Sequence, residues 1–277
     1  MKLKAKAVYF IGAGPGDPEL LTIKGRRLLD EADVIVYAGS LVNPALFNLK
    51  GEAGAGSKRG GTKRKSKKVK IYDSAGMTLE ETTRILYDTA RAGLMAVRLH
   101  SGDISFYSAI TEQISALEKE GIKCVVVPGV SSLGAGAAAL GQELTIPEIS
   151  QTVIVTRMAG RTPVSDSESI ASLAAHKSTM VIFLSAAMIG RLAAELIKGG
   201  YPPETPAAIV ERASWPEERV IAGSLRDIAG KAGEAGIRKT ALIYVGAAIG
   251  AAGQQRSKLY DKDFSHGFRG KNGKKQR

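Results

Sequence analysis

The run Gly12-Ala13-Gly14-Pro15-Gly16-Asp17-Pro18 follows a short strand-like segment, Ala5-Lys6-Ala7-Val8-Tyr9-Phe10-Ile11, and it narrows what this chain can become. A glycine-rich turn there puts a tight loop at the carboxyl end of a strand, where open α/β sheets bind ligands. It is not a dinucleotide fingerprint. That motif needs G-x-G-x-x-G, with the third glycine letting the next helix pack on the strand. Here the third glycine comes one position early, and Asp17 stands where it should be. The two prolines lack N–H groups and fix φ, so the loop offers phosphate fewer donors than a P-loop. What remains is a rigid, sharply curved loop.

The rest of the chain alternates short β-branched runs with longer amphipathic ones, which argues for α/β architecture. Strands are expected at 6–11, 33–38, 94–99 and 122–127, with helices near 22–31, 78–92, 107–120 and 131–142. Thr78-Leu79-Glu80-Glu81 is a capping box that fixes one helix start. A second unit opens near Leu144-Thr145-Ile146-Pro147, with strands at 152–156, 179–184, 206–211, 219–223 and 240–246. Its helices are expected near 166–175, opened by the box Ser165-Asp166-Ser167-Glu168, and at 187–198 and 224–235. Only a short turn holding Trp215-Pro216 separates 206–211 from 219–223, too short for a crossover helix, so that pair is antiparallel and the second sheet mixed. The expected organisation is an α/β domain over 1–143 with a basic loop inserted at 51–70, a mixed-sheet α/β domain over 144–253, and a basic tail over 254–277.

The net charge of +12 suggests nucleic acid until its distribution is examined. Residues 58–70 hold eight Lys/Arg and no acid, and residues 254–277 hold eight against Asp261 and Asp263. The remainder carries 23 basic and 25 acidic residues, a net of −2, so the charge belongs to one loop and one tail. These segments read as solvated, or as attracting a substrate rich in carboxylates. The single cysteine, Cys124 in the apolar run Cys124-Val125-Val126-Val127, reads as a small core residue. The three histidines are scattered, and no metal-ligand spacing appears. No apolar run reaches the ~20 residues of a membrane helix, and Met1-Lys2-Leu3-Lys4 begins no signal peptide. The expectation is a cytoplasmic protein with neither a membrane nor a nucleic-acid partner.

Three further motifs stand at strand ends: His100-Ser101-Gly102-Asp103, Val127-Pro128-Gly129-Val130-Ser131-Ser132, and Gln151-Thr152-Val153-Ile154-Val155-Thr156-Arg157. In this order and spacing, together with the first loop, they resemble the tetrapyrrole methylase family, which methylates corrin and sirohaem precursors with S-adenosylmethionine. The resemblance spans roughly residues 6–50 and 71–253, and Arg256-Ser257-Lys258-Leu259-Tyr260 fits too. The run 151–157 followed by Gly160-Arg161-Thr162-Pro163 is most similar to the branch that methylates precorrin-4, or its cobalt complex, at C11 in cobalamin synthesis. The resemblance implies two α/β domains of the class III methyltransferase type with the active site in the cleft between them. It also implies S-adenosylmethionine as cofactor, S-adenosylhomocysteine as product, a polycarboxylate tetrapyrrole as substrate, and a homodimer. The alternatives within the fold are another tetrapyrrole methylase position or diphthine synthase. Outside it, the alternative is a nucleic-acid-binding α/β protein using its basic segments.

Residue by residue, Ser101, Gly102, Asp103 and Ile104 match the family's cofactor loop, with Ile104 in place of its usual proline. Asp103 would favour a nearby sulfonium indirectly, cap a helix beginning near Tyr107, or both. Ser131 and Ser132 match the family's cofactor-contacting Ser/Thr pair at a helix N-terminus, where N–H groups suit a carboxylate; a plain N-cap is the competing role. Leu184, Ser185, Arg212, Ala213, Thr240 and Ala241 correspond to further cofactor positions, although each alone reads as core or strand end. Gly14, Pro15, Gly16 and Asp17 would border the substrate, with Asp17 also placed to cap a helix near Leu20. Arg157 and Arg161 would pair with substrate carboxylates, which guanidinium groups grip bidentately, or stand as exposed loop arginines. No catalytic nucleophile, general base or metal is expected, because in-line methyl transfer can run on positioning and exclusion of water.

Overall fold

The computed structural model describes residues 7–48, 69–251 and 264–265. The basic loop as far as residue 68 and nearly all of the basic tail, with the motif at 256–260, lie outside the described residues. The chain forms two compact units. The first holds the chain through Ala135 together with Arg212–Glu217, and the second holds Gly136–Glu211 and the chain from Glu218.

The first unit is built on a parallel sheet of β1 (Val8–Gly12), β2 (Val34–Tyr37), β3 (Lys70–Asp73), β4 (Ala96–His100) and β5 (Cys124–Val127), in the order β3-β2-β4-β1-β5. The intervening helices are α1 (Ile23–Glu31), α2 (Ala45–Asn48), α3 (Leu79–Arg91) and α4 (Ile110–Lys119), and α5 (Ser132–Ala139) follows β5. Both faces of the sheet carry core. Ile11, Ile35, Val97 and Leu99 pack with Leu28 and Leu29 of α1, while Val8, Phe10, Val36 and Ala96 pack with Leu86 and Leu117 of α3 and α4. Burial on both faces is why these strands read as nearly continuous apolar runs. Cys124 packs at the margin of this core, and burial pushes its thiol up to about 11.

The second unit is a mixed sheet of β6 (Val153–Arg157), β7 (Thr179–Phe183), β8 (Pro206–Glu211), β9 (Arg219–Ser224) and β10 (Ala241–Val245), in the order β6-β7-β10-β8-β9. β6 and β7 are parallel, joined through α6 (Ile170–Ala174), whereas β10 runs antiparallel to both β7 and β8. β8 and β9 pair antiparallel, as their short connection requires. Helices α7 (Ile189–Lys198) and α8 (Ile228–Glu234) bury Leu192, Leu196 and Ile228 against Met180, Ile182, Ile209 and Ile243.

Local chemistry sets most helix starts. At Thr78 the capping box forms in full, with the Thr78 hydroxyl accepting from the Glu81 amide and the Glu81 carboxylate from the Thr78 amide. Four expectations need correction. Lys70 belongs to β3 and not to a loop, and β3 was not foreseen because its residues are largely exposed. The helix expected from 107 begins at Ile110, because Tyr107 and Ala109 adopt left-handed φ values of 55° and 50°, which no α-helix accommodates. The helix expected from 224 begins at Ile228; Ser224 ends β9, and its amide donates to Asp227. The box at Ser165 does not form, since its hydroxyl pairs with that of Ser167 at 2.9 Å. A 3-10 turn at Asp166–Glu168 comes first, and α6 is capped by Ser169, whose hydroxyl accepts from the Ser172 amide.

That reassignment is testable. Ser169→Ala is expected to cost about 1 kcal/mol in urea denaturation, the usual worth of an N-cap. Ser165→Ala should stay within about 0.5 kcal/mol of the parent. The reverse order would restore the box at Ser165.

Candidate functional site

In the first unit three loops meet at the carboxyl ends of β1, β4 and β5, and they meet as bare backbone. Gly14 and Gly102 exchange backbone hydrogen bonds, Gly102 N–H to Gly14 O at 2.7 Å and Gly14 N–H to Gly102 O at 3.2 Å. A Cβ on Gly12 would lie 2.6 Å from the Gly102 carbonyl oxygen, and one on Gly129 only 2.3 Å from it. No side chain fits at either position. Asp103 completes the junction: one carboxylate oxygen accepts from the Ser105 amide at 2.9 Å and the other from the Gly129 amide at 2.8 Å. Partial burial works against its charge, but the Ser105 hydroxyl and the amides of Gly129, Ser105 and Ile104 outweigh it, and the carboxyl titrates below its usual range. Asp103 therefore ties the loops after β4 and β5 together and does not cap α4, whose N-cap residue Ala109 makes no side-chain cap.

Gly102 has a left-handed φ of 63°, and a Cβ added there would stand 3.5 Å from the Ser132 amide nitrogen and 3.9 Å from its hydroxyl. A side chain at Gly102 would therefore come into van der Waals contact with the start of α5. Ser131 is an N-cap, its hydroxyl accepting from the Leu133 amide at 3.2 Å, and Ser132 begins α5. Ser101 is half-buried at the end of β4. Ile104 is only 2% exposed and packs with Phe10 and Leu117, so its side chain belongs to the core. Gly14, Pro15 and Gly16 are buried, and Asp17 caps the turn Pro18–Leu20 by accepting from the Glu19 amide at 2.8 Å.

Arg212 and Ala213 pack with the first unit although they continue directly from β8. In the second unit, antiparallel pairing puts the ends of β7 and β8 beside the start of β10, with Ala241 opposite Glu211 and Ile243 opposite Ile182. The residues at these ends, Leu184 (φ 54°), Arg212 (φ 49°) and Thr240 (φ 54°), are all left-handed and none is glycine. Such conformations cost of order 1 kcal/mol or more each and cluster at ligand sites. Leu184 is 68% exposed, while Ser185 is fully buried and committed to structure. The Ser185 hydroxyl donates to the Phe183 carbonyl at 2.7 Å and accepts from the Met158 amide at 3.0 Å, joining β7 to β6. Ala241 is buried core. Arg157 is likewise spent on its own loop, donating to the carbonyls of Met158, Thr162 and Pro163. Arg161 is exposed on that loop.

Two titratable groups next to the junction were not singled out in the sequence. His100 ends β4 with 8% exposure, stacked on Phe10 at 6.4 Å, and its Nε2 has no partner. Burial, helped by the charge of Arg98, lowers its pKa to about 3, so the ring is neutral. Arg98 donates from Nη1 to the Ser74 hydroxyl at 2.8 Å, its Nε has no partner, and burial lowers its pKa as well. Alternation along β4 places 96, 98 and 100 on one face, and that rule was the available signal. Among the described residues no group of three His, Cys, Asp or Glu is placed to hold a metal, and no helix is long and apolar enough to cross a membrane.

Gly129→Ala should lower the melting temperature by several degrees, since overpacking costs ~1–3 kcal/mol and each kcal/mol moves a domain of 150–250 residues ~2–4 °C. Gly134→Ala, on open space in α5, should be neutral or stabilising. His100 makes a second prediction. The unfolded imidazole takes a proton near pH 6.5 and the folded one only near 3. Between those values the unfolded state holds the extra proton, so stability falls as pH falls. Wild type should lose up to about 1.4 kcal/mol per pH unit more than His100→Gln over that window; parallel acid denaturation curves would refute it.

Comparison with known proteins gives the family. The tetrapyrrole (corrin/porphyrin) methylases match residues 7–229. The chain is similar to a cobalt-precorrin-4 C(11)-methyltransferase of Methanocaldococcus jannaschii, 49% identical over 264 residues, covering 95% of this chain and 96% of the relative. Among solved structures, a cobalt precorrin-4 methyltransferase superposes with a TM-score of 0.79 at 43% identity, over 88% of this chain and 95% of that one. A uroporphyrin-III C-methyltransferase from Thermus thermophilus complexed with S-adenosylhomocysteine superposes with a TM-score of 0.69 at 31% identity, over 88% of this chain and 93% of that one. Loops that meet at the ends of β1, β4 and β5 thus sit in a chain that belongs to the tetrapyrrole methylase family.

Proposed function

We propose that this protein transfers a methyl group from S-adenosylmethionine to C11 of precorrin-4 or cobalt-precorrin-4, in the assembly of the corrin ring of cobalamin. The observation that carries this reading is end-to-end similarity to a C11-methyltransferase, with nearly the whole of both chains aligned. S-adenosylmethionine supplies an electrophilic methyl group on a sulfonium. The protein must therefore hold two partners in line and keep water away, and it needs no nucleophile of its own.

The residues described above suit that task. The gap that Gly102 leaves against Ser132 is a cradle a Cβ would narrow, and it supports cofactor binding by Ser101, Gly102, Asp103, the Ile104 backbone, Ser131 and Ser132. Asp103 is ionised with its oxygens already bonded to amides, so it contributes a fixed negative field and not a direct ion pair. The left-handed backbones of Leu184, Arg212 and Thr240 turn main-chain groups out at strand ends, in keeping with cofactor contacts there and at Ser185, Ala213 and Ala241. The Gly14–Asp17 loop borders the tetrapyrrole. Of the two arginines, Arg161 has its guanidinium available for a substrate carboxylate, while Arg157 shapes the loop that presents it. The reading extends to a cytoplasmic homodimer, as the family resemblance implies; light scattering checks the oligomer.

Anaerobic incubation with S-adenosylmethionine and either precorrin-4 or its cobalt complex should yield one added methyl, located at C11 by NMR. Arg161→Ala should raise the KM for the tetrapyrrole roughly tenfold to a hundredfold, the worth of a charge-assisted contact, and leave S-adenosylhomocysteine affinity unchanged by calorimetry. Equal losses for both ligands would remove Arg161 from the substrate site.

A further inference from the structure

The Gly14–Asp17 loop is held from outside as well as by its own bridge and cap. Three consecutive residues are each gripped by a residue far away in sequence. The Pro15 carbonyl accepts from the indole Nε1 of Trp215 at 2.8 Å. The Gly16 carbonyl accepts from Asn43 Nδ2 at 2.9 Å. The Asp17 amide donates to the Ser214 hydroxyl at 3.0 Å. The indole also abuts Gly16, where an added Cβ would fall 2.0 Å from a ring carbon. Proline at 15 removes one N–H and glycine at 16 widens the backbone's choices, so between the Gly14–Gly102 bridge and the Asp17 cap these grips select one conformation.

Two of the three grips come from one short segment. Ser214 and Trp215 follow Arg212 and Ala213 directly, and that segment is itself rigid. The Trp215 amide donates to the Arg212 carbonyl at 2.9 Å, the Arg212 guanidinium sits 5.6 Å from the indole centroid, and Arg212 pairs with Glu217 at 3.4 Å. Arg212 and Ser214 both hold left-handed φ values, 49° and 67°, which an unsupported chain would relax. The backbone around Ala213 and the loop at 14–17 are thus one connected piece.

We propose that Trp215 is a positioning residue that couples cofactor occupancy to the substrate loop. A ligand contacting Arg212–Ala213 fixes the segment, and Trp215 with Ser214 passes that order to Pro15, Gly16 and Asp17, so the tetrapyrrole binds more tightly once the cofactor is in place. By reciprocity the tetrapyrrole tightens the cofactor by the same factor. This rests on the cofactor and substrate assignments proposed above.

The experiment measures equilibrium binding of precorrin-4 under anaerobic conditions, with and without saturating S-adenosylhomocysteine, which permits no turnover. Trp215 is the single tryptophan of the chain, so its emission reports on the segment directly. In wild type, S-adenosylhomocysteine should change that emission and strengthen precorrin-4 binding by about fivefold or more, within the usual range of coupling. Trp215→Phe, which keeps a ring against Gly16 and loses the N–H to Pro15, should cut that ratio to twofold or less, as should Ser214→Ala. Asn43→Ala loosens the loop from the other side and should weaken precorrin-4 binding in both conditions with the ratio kept. Melting curves within a few degrees of wild type establish that the variants are folded. A wild-type ratio of one, or a ratio unchanged in folded Trp215→Phe and Ser214→Ala, overturns the coupling while calorimetric binding of S-adenosylhomocysteine leaves the methyltransferase reading standing. No calorimetric binding sinks both.

Discussion

Close approach of glycine backbone at the ends of β1, β4 and β5 is the constraint on which the first unit depends. Three strands of a parallel sheet deliver their loops to one edge, and such loops normally keep apart because side chains intervene. Here Gly12 and Gly129 approach each other and the Gly102 carbonyl to distances that leave neither of them room for a Cβ, so the loops come together as main chain. The Gly14–Gly102 bridge and the Asp103 carboxylate then hold them. A surface made of carbonyls and amides results, anchored directly to strands whose register is set by the core below. That is a stiff base for a ligand site, and stiffness is what a reaction run on positioning requires.

The second unit reaches a comparable result by other means. Its antiparallel pairing sets the ends of β7 and β8 beside the start of β10, and the chain leaves or enters each through a left-handed residue that is not glycine. A glycine would take these angles without steric cost but would leave the backbone free to leave them. A side chain at the same angles makes the turn more costly and more definite, provided its surroundings hold it. Ser185, fully buried and hydrogen-bonded at both its donor and its acceptor, is one such support just after Leu184. The two units differ in sheet type and share a preference for main-chain geometry over reactive side chains.

Much of the fold was legible because the forces behind it act over a few residues. The Val- and Ile-rich strands, the capping box at Thr78 and the short β8–β9 connection each carry their own evidence. Where local evidence misled, a nearby alternative won: Ser169 over Ser165 for α6, and the left-handed Tyr107 and Ala109 over an early start to α4. The strand β3 escaped notice because it is an exposed edge following a lysine-rich run, so neither of its faces carries the apolar alternation of a buried strand.

The sequence alone determined the α/β class, the mixed second sheet and the family the chain resembles. Tertiary structure decided what each residue in those loops is for. Each glycine reads along the chain as a turn residue; that Gly12 and Gly129 need one another's bareness, and both crowd the Gly102 carbonyl, is visible only where β1, β4 and β5 lie side by side. Asp103 reads as a helix cap, an indirect partner of a cation or both, and the fold bonds it to an amide 26 positions on; Trp215 reads as a turn residue and is bonded to a carbonyl 200 positions back. Local patterns record the backbone's preferences over a turn or a strand. Hydrogen bonds and van der Waals exclusion act between whatever atoms the fold brings within about 4 Å, and that proximity is written in no single stretch of the chain.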